Sequence, residues 1–109
     1  AELTTVPRLP FDSRLVDIRL DFNLIAHIGK NAFQRCQHLE SISLVGNRVV
    51  TVATGGFDHL PQLRTIFLKD NRIQFIEHHA FTDLPMLQLL DLSRNNIKSL
   101  TVDAFSGEP

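Results

Sequence analysis

The sequence predicts a stacked solenoid built on a parallel β-sheet, and three observations carry that prediction. First, one 24-residue pattern fills the chain: Leu15-x-x-Ile18-x-Leu20-x-x-Asn23-x-Ile25 recurs from Leu39, from Leu63 and from Leu87. Second, the four copies are in phase without insertion or deletion, so each position defines a column through the molecule. Third, the repeated residues are apolar or asparagine, and a single unit this short cannot bury its own apolar face. Stacking solves that problem, because each coil covers its neighbours and contacts little else.

Within each copy the x-Leu-x-Leu stretch alternates with period two, which is the pattern of a short strand with one buried face. Strands 24 residues apart then lie side by side about 4.8 Å from one another. The result is a four-stranded parallel sheet with one face open. The rest of each repeat returns along the far side and dips inward at two columns, Ile28, Val52, Ile76 and Leu100, then Phe33, Phe57, Phe81 and Phe105. The four phenylalanines are expected to stack as a spine. Ala32, Gly56, Ala80 and Ala104 precede them, small where a larger side chain would hold the coils apart.

Asn23, Asn47, Asn71 and Asn95 form a column of a different kind. A buried amide offers two donors and an acceptor oxygen, so it can satisfy turning backbone groups of its own coil and the next where the strand ladder ends. The following column breaks informatively. Leu60-Pro61 and Leu84-Pro85 precede the third and fourth strands, and Cys36 stands in the same place before the second. A cysteine replacing a buried leucine reads as a core thiol. Glu108 occupies that column at the chain end, where a charge does not fit, so the repeat path is expected to stop at Gly107.

Composition narrows the function. Apolar residues make up 43% and charged residues 21%, the balance of a globular domain. No apolar run approaches the roughly 20 residues a membrane span needs. Eleven basic against twelve acidic residues, a net charge of -1, give no overall electrostatic footprint for nucleic acid, and no nucleic-acid partner is expected. The lone Cys36 excludes an internal disulfide, and no asparagine begins an Asn-x-Ser/Thr acceptor.

These motifs resemble the leucine-rich repeat family, in particular the 24-residue subclass of extracellular animal proteins. The phrase Leu-x-x-Leu-x-Leu-x-x-Asn-x-Ile-x-x-Ile-x-x-x-Ala-Phe-x-x-Leu-Pro is carried best by residues 63 to 85, and the resemblance covers residues 15 to 105. The Gly-x-Ile-Pro of plant-type repeats is missing, and cytosolic inhibitor-like repeats are longer and more helical. The resemblance implies an α/β solenoid that is curved, with the sheet on its concave side and irregular turns with short 3₁₀ pieces on its convex side. It also implies a protein-binding role. Residues 1–109 then form a single leucine-rich repeat domain with repeats starting at 15, 39, 63 and 87. Leu3-Thr4-Thr5-Val6-Pro7 and Leu9-Pro10 resemble the tail of an N-terminal cap over residues 1–14, without the cap cysteines. The chain is accordingly expected to be a piece of a longer ectodomain.

The binding surface can be read by column. Outward positions on the four strands offer Arg19 and Phe22, then Arg64, Phe67 and Lys69, then Leu89, Asp91 and Arg94, and these eight are the expected protein-binding residues. Phe67 stands out, because an aromatic projecting from an open sheet face does not pack the core and such residues dominate interfaces. Glu40 with Arg64, and Asp70 with Arg94, fall side by side as exposed pairs. Val50 and Phe75 offer a weaker second patch on the flank.

No metal, cofactor or catalytic site is expected. His78 and His79 are adjacent on a turn and point apart, and His27, His38 and His59 occupy three different columns. Asp91 lies three strand spacings, roughly 14 Å, from Asp17 or Asp21, too far for paired acid-base work. The sequence therefore predicts a non-catalytic recognition module of an extracellular or cell-surface receptor or signalling protein. Its partner is expected to be a protein ligand or co-receptor held on the concave face. The alternative is a structural spacer, or a segment that self-associates through uncapped ends.

Overall fold

A computed structural model of the chain describes residues 3–7, 14–33 and 36–100. Its strands run in chain order as β1 (Asp17–Arg19), β2 (His27–Ile28), β3 (Ser41–Ser43), β4 (Thr51–Val52), β5 (Phe57–Asp58), β6 (Thr65–Phe67), β7 (Phe75–Ile76), β8 (Phe81–Thr82), β9 (Leu89–Asp91) and β10 (Ser99–Leu100). They form three parallel ladders, β1-β3-β6-β9, β2-β4-β7-β10 and β5-β8. Every pairing joins residues 24 apart, Ile18 to Ile42 to Ile66 to Leu90 in the first ladder and Ile28 to Val52 to Ile76 to Leu100 in the second. The molecule is the solenoid that the in-phase repeat predicts.

The strand phase is also as expected. Ile42, Ile66, Leu44 and Leu68 are fully buried, while Asp17, Arg19 and Leu89 on the intervening positions are exposed. Phe33, Phe57 and Phe81 stack with ring centroids 5.4 and 5.3 Å apart. Small residues precede them for the reason inferred: a Cβ on Gly56 would lie 3.1 Å from the Ala53 carbonyl and 3.2 Å from Ile28 Cγ2. Cys36 is fully buried in the column of Leu60.

The asparagine ladder works, with one correction to its direction. Asn47 Nδ2 donates to the carbonyls of Leu44 in its own coil (3.0 Å) and Leu20 in the preceding coil (2.9 Å). Its Oδ1 accepts the Ile25 N–H (3.1 Å). Asn71 repeats this with Leu68, Leu44 and Val49, and Asn95 with Leu92, Leu68 and Ile73. Each amide thus reaches back to the coil before it, not forward, because its side chain leans under the turn that has already been laid down. At Asn23 the preceding coil is replaced by the N-terminal segment. Leu3 N–H donates to Asn23 Oδ1 (3.1 Å), and the Leu3 and Thr4 carbonyls accept from Leu24 and Ala26.

The convex side is irregular and, among the described residues, free of helix. Each coil turns there through isolated i→i+3 bonds, the 3₁₀ pattern one turn long: Ala32 to Gly29, Gly56 to Ala53 and Ala80 to Glu77, then Leu39 to Cys36, Leu63 to Leu60 and Leu87 to Leu84. Pro61 and Pro85 sit second in the last two of these turns, where a φ fixed near −65° is already the one required. The expectations for Leu9-Pro10, Ala104, Phe105, Gly107 and Glu108 lie outside the described residues.

A candidate recognition surface on the open sheet face

Two columns, Asp17-Ser41-Thr65-Leu89 and Arg19-Ser43-Phe67-Asp91, make the open face of the β1-β3-β6-β9 sheet. Beside Phe67 in register stand Ser43 on β3 and Asp91 on β9. Phe67 is half-buried yet outside the hydrophobic core, as its outward position requires. Ser41, Ser43 and Gly46 on the neighbouring coil are small, so the Phe67 ring borders a low strip. Thr65 Oγ1 donates to Ser41 Oγ (3.0 Å) along that strip.

Of the expected binding residues Arg19, Phe67, Leu89 and Asp91 stand on the strands of this sheet, Phe22, Arg64, Lys69 and Arg94 flank them, and they are not equally available. Arg19 is spent within its own strand, its Nε donating to Asp17 Oδ2 at 3.1 Å. Arg94 is paired with Asp70 across one coil, as the columns imply. Arg64 is exposed, but the expected pair with Glu40 is absent: the two are joined by the Arg64 N–H and the Glu40 carbonyl (2.9 Å), not by their charges. The reason is entropic, since an exposed pair of long side chains gains little by holding one geometry. Lys69 is exposed and its charge acts on Asp91, and Leu89 is 47% exposed.

Two carboxylates, one of them the expected binding residue Asp91, have structural duties that the sequence reading did not foresee. Asp21 Oδ1 accepts the Ser43 hydroxyl (2.6 Å) and the Val45 N–H (2.8 Å), pinning the first coil to the second. Asp91 Oδ1 accepts the Ser93 hydroxyl (2.6 Å) and N–H (3.0 Å). The Ser93 hydroxyl, then the Ser93 N–H, hold its carboxyl below the usual value. Asp91 is thus a braced negative charge beside the Phe67 column.

Phe22 is 71% exposed and adopts a left-handed backbone, φ 57°. Its column is left-handed throughout, with Gly46 at 72°, Asp70 at 59° and Arg94 at 58°. Only Gly46 pays no steric cost there. Its missing Cβ also makes room, since a Cβ would lie 2.5 Å from the Phe22 ring. Phe22 is therefore seated on Gly46 with its other side open, a feature that required knowing the turn conformation.

Sequence reasoning missed a second cluster on the returning side. His59 Nδ1 hydrogen-bonds Asp83 Oδ2, one coil on in the same column, and His59 Nε2 lies 3.8 Å from Asp58 Oδ2. The Asp83 hydrogen bond, with both carboxylates nearby, raises the His59 pKa above its ordinary value. Gln37, Pro61 and Pro85 complete an open cleft around the pair. The signal was available, since residues 59 and 83 are one repeat apart. Among the described residues no group of three or more His, Cys, Asp or Glu is arranged to hold a metal ion.

A parallel stack of coils carrying a mixed-charge sheet face is the geometry to set beside known proteins. The leucine rich repeat family model matches residues 13–73 and 61–109. The chain belongs to the leucine-rich repeat family. No curated protein matches it by sequence. Among solved structures, a crystal structure of a TLR13–ssRNA13 complex matches with TM-score 0.74 and 27% identity over 78% of this chain. The chain spans 12% of the length of that protein.

That similarity corrects the expectation of no nucleic-acid partner. A protein with these coils is solved in complex with ssRNA13, so an argument from the net charge of -1 does not exclude such a ligand. The physical fault lies in the summation, because a total near zero says nothing about where the charges sit. No helix among the described residues is long and apolar enough to cross a membrane.

Proposed function

We propose that this chain is a non-catalytic recognition module of a receptor-type protein displayed outside the cell, binding a protein ligand on the open sheet face. The observation that carries the reading is Phe67, an aromatic held half-exposed outside the core beside the braced Asp91 and near the exposed Arg64 and Lys69. Interfaces concentrate their energy in central aromatic anchors ringed by polar residues. A mixed-charge surround of this kind supports register and choice of partner more than raw affinity.

The test is a screen of secreted and cell-surface proteins with the chain, followed by affinity and melting measurements on variants. Truncation of a central aromatic commonly costs 2 kcal/mol or more, so Phe67→Ala should weaken a concave-face partner about thirtyfold. Melting should stay close to that of the native chain, as should binding by the convex control His79→Ala. Unchanged affinity would remove the assignment of the face, and unfolding would place Phe67 in the core.

A second reading, a nucleic-acid ligand, is supported by the TLR13–ssRNA13 similarity. Single-stranded oligonucleotides included in the same screen test it.

A further inference from the structure

The charges of this chain are segregated, and the segregation has a location. Just past the left-handed turn, Arg48 and Arg72 occupy one outward column on adjacent coils, about 4.8 Å apart along the stack. Both side chains are exposed, and among the described residues neither joins an ion pair. Their backbones are fixed by equivalent bonds, Arg48 N–H to the Ile25 carbonyl and Arg72 N–H to the Val49 carbonyl. Lys98 is exposed two columns further on, on the next coil, its N–H bonded to the Gln74 carbonyl.

The four columns that start at residues 24, 25, 26 and 27, followed through their repeats to Ser99, contain no carboxylate. Of the carboxylates that flank this strip, Asp70 is paired with Arg94, and Glu77 is held by the Thr54 N–H, which donates to its Oε1 at 3.0 Å. In the middle of the strip Phe75 on β7 is 43% exposed, its ring outside the core. Three cations that join no ion pair among the described residues, around an exposed aromatic on a parallel ladder, suit an anion with a flat apolar face.

We propose that this flank, Arg48, Arg72, Lys98 and Phe75, is a binding strip for single-stranded nucleic acid, with the cations on phosphates and the Phe75 ring stacking an unpaired base. Arginine and lysine neutralise phosphates, and base stacking on an aromatic adds affinity with little sequence preference. A duplex would keep its bases from the ring, which is why the single strand is the better fit. The inference rests on the second reading above and adds the place where such a ligand sits, a surface separate from Phe67.

The test is fluorescence anisotropy with labelled oligo(dT) and oligo(rU), in a salt series, on the native chain and on variants checked for unchanged melting. Three phosphate contacts give a slope of log K against log salt near −2, at about −0.7 each for single strands. A fourfold rise in salt should then weaken binding somewhat over tenfold. The double variant Arg48→Gln/Arg72→Gln should flatten the slope by about 1.4. Phe75→Leu should lower affinity about fivefold or more and leave the slope alone. Phe67→Ala should change neither. Oligonucleotide binding that ignores the strip variants would overturn the site while leaving the ligand reading intact, and no binding at all would overturn both. Equal competition by polyglutamate with a silent Phe75→Leu would show a general anion strip, suited to an acidic protein, and would also overturn the proposal.

Discussion

A single buried amide shows how one residue type can hold a coil. Asn71 donates to the Leu44 and Leu68 carbonyls and accepts the Val49 N–H, so its removal strands three backbone groups where water does not reach. An unsatisfied buried polar group costs about 1 to 3 kcal/mol. Asn71→Ala should therefore destabilise the chain by at least that much in urea unfolding, while Gln88→Ala, on an exposed side chain, should change little. Equal effects would show that the ladder bonds add nothing net. This ladder was legible because the chemistry of an amide at a strand end admits few other uses. Its backward direction was not, since column position alone does not tell which neighbour a side chain leans under. The duties of Asp21 and Asp91 were hidden for a similar reason. Their partners, Ser43 and Ser93, are ordinary serines in the sequence until the fold brings them within 2.6 Å.

At the scale of elements, the strands were easy to read and the turns were not. Period-two alternation specifies which face of β3 or β6 is buried, and a one-residue slip would expose the whole apolar set. Turns lack such a constraint, so the left-handed seat of Phe22 on Gly46 emerged only from the folded chain, whereas the His59–Asp83 bridge had its signal in the one-repeat spacing and was passed over. The bridge makes a prediction with a definite sign. Because the folded His59 pKa is raised, chiefly by Asp83, the bridge contributes stability that is fully present below the unfolded histidine value, about 6.5. That contribution is lost as pH rises through the folded value. Both side chains are largely exposed, so the effect is at most about 1 kcal/mol. The melting difference between the native chain and Asp83→Asn should be largest on the acid side of neutrality, above the range where Asp83 itself is protonated. It should shrink toward zero at alkaline pH. A difference that is flat across this range, or that grows with pH, would count against the bridge.

Across the whole molecule, stability should be graded along the stack rather than uniform. In a solenoid each coil is held only by the coils beside it, so the number of covered faces decides how easily one opens. Ile42, Leu44 and Val49 are fully buried, as are Ile66, Leu68 and Ile73, whereas at the same columns Leu90 and Leu92 are half-buried and Ile97 is exposed. The coil carrying β9 therefore has less apolar area to lose on detaching, and burial stabilises at about 25 cal/mol per Å². Native-state hydrogen exchange reads this directly, because amides in separately opening units exchange with different free energies. The Leu68 and Asp70 N–H groups donate to Asp91 and Ser93 on the β9 coil, while the Leu44 N–H donates from β3 to Phe67 on β6. The Leu68 and Asp70 amides should exchange faster than the Leu44 amide, by about tenfold for each 1.4 kcal/mol of difference in opening free energy. Identical protection at all three positions would mean that the coils open only together, and the stack would then behave as one cooperative unit instead of a row of neighbours.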